Sequence, residues 1–409
     1  MAAIQLDTMN PAPVDKDIYG PVSICFLVAL FEGLDIQSMG VAAPRLAPAF
    51  HLNPGQMGVV MSASTLGLMI GAAWGGWISD RIGRKTVITG SMVTLGLFSL
   101  ATALASDFHA LLAARVLAGL GLGGAFPNLI ALVSEITPRA FRVTALGLMY
   151  CGLPLGGAAA GALMSSGSTM DWRLVFYVGG IGPLLLVALL IWGLPNSQTI
   201  RHFSGQPGPT ADPERPGGTL FGSRTGTTLL LWTSYFFTLL AVYLLLNWLP
   251  SLLVAKGYSR AQGSTCSIIL NMGAAIGSVI LGRLSDRGYP KAILSVTYAG
   301  MMASLLALTI AQGKALYLAA FAAGFFVIGG QLVLYAIAPA LYPTPVRGTG
   351  VGAAIAVGRI GSVAGPLMAG ALLVHGFGPN AVPVAATPGL LIAFAAVFML
   401  VLGQAQTSK

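Results

Sequence analysis

The sequence predicts an all-α integral membrane protein in which twelve spanning helices form two six-helix halves. Three observations predict it. Of 409 residues, 56% are hydrophobic and only 8% charged, with a mean hydropathy of +0.82, and so few charges cannot cover a water-soluble surface. Apolar stretches of roughly 18 to 25 residues recur along the chain, each long enough to cross about 30 Å of hydrocarbon as helix. Finally, a charged phrase occurs twice: Gly76-Trp77-Ile78-Ser79-Asp80-Arg81-Ile82-Gly83-Arg84-Lys85 returns from residue 282 as Gly282-Arg283-Leu284-Ser285-Asp286-Arg287-Gly288. Gly123-Gly124 leading to Arg142-Val143-Thr144 is echoed likewise by Gly329-Gly330 leading to Arg347-Gly348-Thr349. Two parallel copies of one membrane unit are the mark of transporters that rock one half against the other.

Taken in order, residues 1–20 carry Asp7, Asp15 and Asp17 and read as a cytoplasmic tail. The first span, 21–46, is too long and too charged in its middle for a cleaved signal. Span 55–79 ends in the first charged phrase, and 86–105 follows it. Span 109–135 holds Arg115 and a glycine-rich run from Gly119 to Gly124, and 142–166 holds Gly152, Gly156, Gly157 and Gly161. Small residues like these let helices approach closely and slide. Span 174–195 contains Leu184-Leu185-Leu186-Val187; unbroken runs of this kind favour helices over barrel strands, which would alternate. These spans make an N-terminal half, 21–195. Residues 196–226, rich in Gly, Pro, Ser and Thr, cannot bury a core and read as a cytoplasmic linker. The second half, 227–404, comprises 227–250, 260–282, 291–311, 315–341, 348–374 and 386–404, with a cytoplasmic tail at 405–409. Short loops leave no room for an extramembrane catalytic domain.

The formal net charge of +9 is not a nucleic-acid footprint, because the cations are neither clustered nor interleaved with aromatics. They follow the positive-inside rule: most fall in segments that are cytoplasmic if the N-terminus is inside, and only Arg45, Arg173, Lys256, Arg260 and Lys314 fall in outer ones. Both termini are therefore expected in the cytoplasm. Cys25, Cys151 and Cys266 lie within spans and are odd in number, so no disulfide framework is implied. His51, His109, His202 and His375 are far apart and lack metal-ligand spacing, so no metal site, cofactor or catalytic residue is expected.

An ionisable group near the bilayer centre costs on the order of 3 kcal/mol, so the few present are candidate site residues. Glu32 and Asp35 lie three apart and share a helical face. Carboxylates so close resist ionising together, which suits proton coupling. Arg359 lies about 17 Å into its span, near the midplane, and a guanidinium grips a carboxylate with two parallel hydrogen bonds. Arg359 is the first candidate to bind an anionic substrate and Arg115 the second; a fixed ion pair with Glu32 or Asp35 is the alternative for either. Tyr235 and Asn247 in the seventh span, Gln331 and Tyr335 in the tenth and Asn128 in the fourth complete the candidate cavity. Its aromatics suit stacking on a flat ring. The charged phrases at the inner helix ends read as a cytoplasmic gate comprising Asp80, Arg81, Gly83, Arg84, Glu135, Arg142, Asp286, Arg287 and Arg347.

In combination, the Gly76 to Lys85 phrase, its partner at Gly282 to Gly288 and the Arg115-x-x-x-Gly119 pattern resemble the major facilitator superfamily over essentially the whole chain. Within it, Glu32-Gly33-Leu34-Asp35, Gly121 to Asn128 and Gly358-Arg359-Ile360-Gly361 resemble the aromatic acid/proton symporter family, in which an Asp commonly stands where this chain has Glu32. Leu148 to Gly152, Leu229 to Leu240, Asn247 to Pro250 and Gly350 to Arg359 are more similar still to its transporters of 3-(3-hydroxyphenyl)propionate. The resemblance implies a monomer in a bacterial inner membrane, importing a phenylpropionate-like or other aromatic carboxylate together with protons for catabolism. A proton-driven exporter of drugs or aromatic compounds is the nearest alternative, and Gly152-Leu153-Pro154-Leu155 departs from the exporter pattern. An integral-membrane enzyme is a more distant one.

Overall fold

A computed structural model describes residues 18–138, 141–165, 171–195, 224–285, 290–342 and 344–407 of the chain. Twelve of its helices are long and apolar enough to cross a membrane. They are α1 (Tyr19–Ala49), α2 (Pro54–Ile82), α3 (Arg84–Ala103), α4 (Phe108–Ile136), α5 (Arg142–Ser165), α6 (Arg173–Gly193), α7 (Thr225–Ala255), α8 (Arg260–Ser285), α9 (Pro290–Ile310), α10 (beginning at Lys314–Ala323), α11 (Thr344–Val374) and α12 (Ala381–Thr407).

Local chemistry sets several boundaries. Asn53 and Gln56 form a reciprocal capping box ahead of Pro54, so α2 starts where its first N–H groups find side-chain acceptors. Asp107 accepts from the N–H groups of His109 and Ala110 at the start of α4. Gly83, at φ 90°, makes the sharp turn between α2 and α3 that a residue with a Cβ rarely adopts. Lys85 donates to the carbonyls of Ile191 and Leu194, both at 2.7 Å, tying the start of α3 to the end of α6. Several helices run past the apolar spans, α7 and α12 most of all.

The tenth span is not the continuous helix that 315–341 predicts. In α10 the first part is followed by a π turn at Gly324–Ile328, then by a helical stretch Gln331–Ile337 and a 3₁₀ turn Ala338–Leu341. Its glycines press on α8: Gly324 lies against the Leu270 carbonyl and Gly329 against the backbone of Gly277 and Ser278. Widened turns of this kind often sit at functional sites.

The two halves repeat one pairing scheme. In the first, α1 packs on α5, α2 on α4, and α3 on α4 and α6; in the second, α7 packs on α11, α8 on α10, and α9 on α10 and α12. Glycines make the tightest crossings, as where Gly71 of α2 meets the Leu120 carbonyl of α4. The halves join through α2 with α11, α5 with α8, and α1 with α7. The named contacts of these seams lie from mid-bundle to the end away from the chain termini: Ser62 donates to the Val363 carbonyl at 2.8 Å, the Gly58 and Gly370 backbones meet, and Gly40 abuts Leu246 and Asn247. Among the described residues, α4 and α5 make no comparable contact with α10 or α11. The bundle is thus sealed at the far end and open between the halves toward the end that bears the termini.

Candidate substrate and proton site

The two carboxylates of α1 have different surroundings. Asp35 accepts from both terminal nitrogens of Arg115 on α4, at 3.1 and 2.9 Å, and both side chains are fully buried. Arg115 also reaches the Asp35 carbonyl at 3.4 Å and lies 5.5 Å from the Phe176 ring centroid. A bidentate pair of this geometry offsets much of the desolvation of both charges, and removing either partner would leave the other exposed to it. Arg115, a candidate substrate ligand, has Asp35 as its partner in this structure.

Glu32 is also buried, at 2% exposure, yet its Oε1 has no hydrogen-bond partner. One helical turn of α1 separates it from Asp35, and Arg115 is already engaged there. The cation that acts on Glu32 is Arg359 of α11, across the interface between the halves, and the two are not within ion-pair distance. Arg359 is only half-buried and donates to the Tyr243 hydroxyl on α7 at 2.6 Å. On α10, Gln331 donates to the Tyr335 hydroxyl, also at 2.6 Å, and Tyr335 packs on Tyr235 with ring centroids 5.4 Å apart. Tyr150 of α5, in the first half, is braced edge-on by Phe126.

The direction of these bonds matters. A phenol carries one hydrogen and accepts through its oxygen. Since Arg359 and Gln331 are the donors, the hydroxyl hydrogens of Tyr243 and Tyr335 remain available to a third group. Together with the remaining N–H groups of Arg359, they form a set of donors suited to a carboxylate, with aromatic faces beside it.

Other expected site residues have partners of their own. Asn128 donates to the Gly124 and Gly75 carbonyls, at 2.8 and 3.4 Å, and so ties α4 to α2. Asn247 donates to the Tyr243 carbonyl at 2.8 Å within its own helix, and sits at the far seam beside Gly40. Tyr235 is completely buried behind Tyr335. At the end bearing the termini, Arg84 pairs with Glu135 at 2.6 Å and Arg81 covers the Trp77 ring at 3.7 Å, while Gly83 supplies the turn between them and Arg142 opens α5. Asp286 and Arg287 lie outside the described residues, as do the side chains of Asp80 and Arg347. The sequence places Tyr243 only among the many aromatics of the seventh span, and its reading passed over Tyr150 and overlooked Gln37 and Asn271, which bond each other across the halves. An amide in the apolar run Ile268-Ile269-Leu270-Asn271 was the available signal.

Twelve spanning helices in two matching halves, with a charged group at their junction, define a membrane transport protein. The family model described as Major Facilitator Superfamily matches residues 25–313 and again 231–409. The 3-(3-hydroxy-phenyl)propionate transporter of Escherichia coli (strain K12) is 49% identical over 397 residues, covering 97% of each chain. A gallate transporter of Pseudomonas putida is 35% identical, covering 87% of this chain and 85% of its own. Among solved structures, the inward open xylose transporter XylE from E. coli superposes with a TM-score of 0.76 at 17% identity, over 93% of this chain and 95% of that one. The chain belongs to the Major Facilitator Superfamily and, within it, to the aromatic acid transporters. It is a transporter and not an enzyme.

Proposed function

We propose that the protein imports 3-(3-hydroxyphenyl)propionate, or a closely related aromatic carboxylate, together with protons by alternating access in a bacterial inner membrane. The observation that carries this reading is a buried, unpartnered Glu32 on which the charge of Arg359, itself bonded to Tyr243, acts from the other half. Ionising a buried carboxyl that lacks a partner costs several kcal/mol, and a proton removes that cost. Substrate binding brings a second negative charge to the same group, so protonated Glu32 and bound carboxylate favour each other. Arg359, Tyr243 and Tyr335 hold the substrate carboxylate, and Tyr150, with Tyr335, flanks the ring. Gln331 orients Tyr335.

Asp35 acts with Arg115 to hold α1 against α4, keeping Glu32 at its station, so its part in proton coupling is indirect. Arg84, Glu135, Arg81, Arg142 and the second charged phrase close the inner side in the opposite conformer, with both termini cytoplasmic. The protein works as a monomer of two six-helix units joined by the 196–226 linker.

Uptake of labelled 3-(3-hydroxyphenyl)propionate into proteoliposomes, with an inward proton gradient imposed and then collapsed by an uncoupler, tests the reading. Accumulation that disappears on collapse is expected. Gradient-driven loss of preloaded substrate would turn the direction round and favour the exporter.

A further inference from the structure

Gln37 of α1 and Asn271 of α8 belong to opposite halves and are both buried. Gln37 donates to Asn271 Oδ1 at 2.8 Å, and Asn271 donates back to Gln37 Oε1 at 2.7 Å. The second amide hydrogen of Asn271 goes to the Ser267 carbonyl at 2.8 Å. Gly157 of α5 lies directly beneath: a Cβ there would overlap the Gln37 amide and come within 2.7 Å of Asn271 Oδ1. Gln37 lies five residues beyond Glu32 toward the far end, so the pair roofs the space that opens toward the termini.

Two features separate this pair from ordinary packing. It is reciprocal, so each amide satisfies the other and neither is satisfied alone. It also joins two side chains across the halves, whereas the seam of α2 with α11 is closed by backbone approach and by the bond from Ser62 to a backbone carbonyl. A polar pair buried in a lipid-spanning interior is costly to leave half-made. When the halves part at the far end, each amide reaches water instead.

We infer that the Gln37 and Asn271 amides form a latch that holds the far end shut, and that breaking it shifts the protein toward the conformer open at that end. The inference rests on the alternating-access reading above but not on the substrate. An interaction made in only one of two states changes their ratio by its full worth, and two buried hydrogen bonds correspond to about tenfold.

The test uses the full chain in proteoliposomes, with Cys25, Cys151 and Cys266 replaced and spin labels at Ser106→Cys and Gln312→Cys. These exposed positions lie in far-end loops of opposite halves. Pulsed electron resonance then reads the populations of short and long distances. Gln37→Leu and Asn271→Leu should each raise the long-distance fraction about tenfold, and the double variant no more than either alone. Gly157→Ala keeps both amides but forces them apart, and should shift the ratio the same way even if a leucine variant fails to fold. Populations unchanged in Gly157→Ala and the leucine variants, or additive effects in the double variant, would overturn the latch. A single distance in every sample, wild type included, would overturn the alternating-access reading and the latch with it.

Discussion

Glu32 and Asp35 are carboxylates one turn apart on the same helix, and they differ in what faces them. Asp35 meets a buried guanidinium of its own half through two strong hydrogen bonds. Glu32 meets the interface between the halves, where the available cation belongs to the other half and is bonded to a tyrosine. The difference teaches that burial alone does not mark a coupling residue. A carboxylate whose charge is cancelled within one rigid half has no reason to report on the other half. In the proposed mechanism, one that faces a cation across the interface between the halves does.

Breaking the inner pair should have the largest effect. Asp35→Asn or Arg115→Gln leaves an uncompensated buried charge and should cost about 3 to 5 kcal/mol of stability. Thermal unfolding in detergent would register this, and the double variant should recover part of the loss. If single and double variants unfold alike, the pair is not the strut described.

At the interface, Arg359→Ala should weaken substrate affinity on the order of 100-fold, because a desolvated charge-assisted pair is commonly worth about 2 kcal/mol or more. Arg359→Lys should recover little of it, since a point charge cannot reproduce the fork. Binding titrations with 3-(3-hydroxyphenyl)propionate measure both. Glu32→Gln sharpens the contrast differently: concentrative uptake should vanish while exchange of labelled for unlabelled substrate persists. Under the proposed symport, wild-type uptake should rise as the outside is acidified, and that dependence should be lost in Glu32→Gln. An Asp35→Asn protein that folds and loses its pH response while Glu32→Gln keeps it would reverse the roles of the two carboxylates. The smallest changes are Tyr243→Phe and Tyr335→Phe, each expected to raise Kd about tenfold by deleting one hydroxyl donor.

Much of this was legible in the chain. The twelve spans, the duplication and the few ionisable residues inside the membrane follow from hydropathy, spacing and the cost of charge in lipid. Arg359 stood out because it is a lone cation near mid-span. The break in α10 was not legible, since its apolar run is continuous while Gly324 and Gly329 yield to the backbone of α8. Nor was Tyr243, one aromatic among many in α7, distinguished only by what bonds to it.

By itself the sequence determined that the chain lives in a membrane, that it comprises two matching halves, and which side chains are too expensive there to be idle. These are properties of composition and period, carried by residues near one another in the chain. Only the tertiary structure decided which polar side chains are partners, because they lie 80 residues apart for Asp35 with Arg115, 116 for Arg359 with Tyr243 and 234 for Gln37 with Asn271. Spacing on one helix puts Glu32 and Asp35 on a common face. Which neighbour fills that face is a matter of how the helices pack.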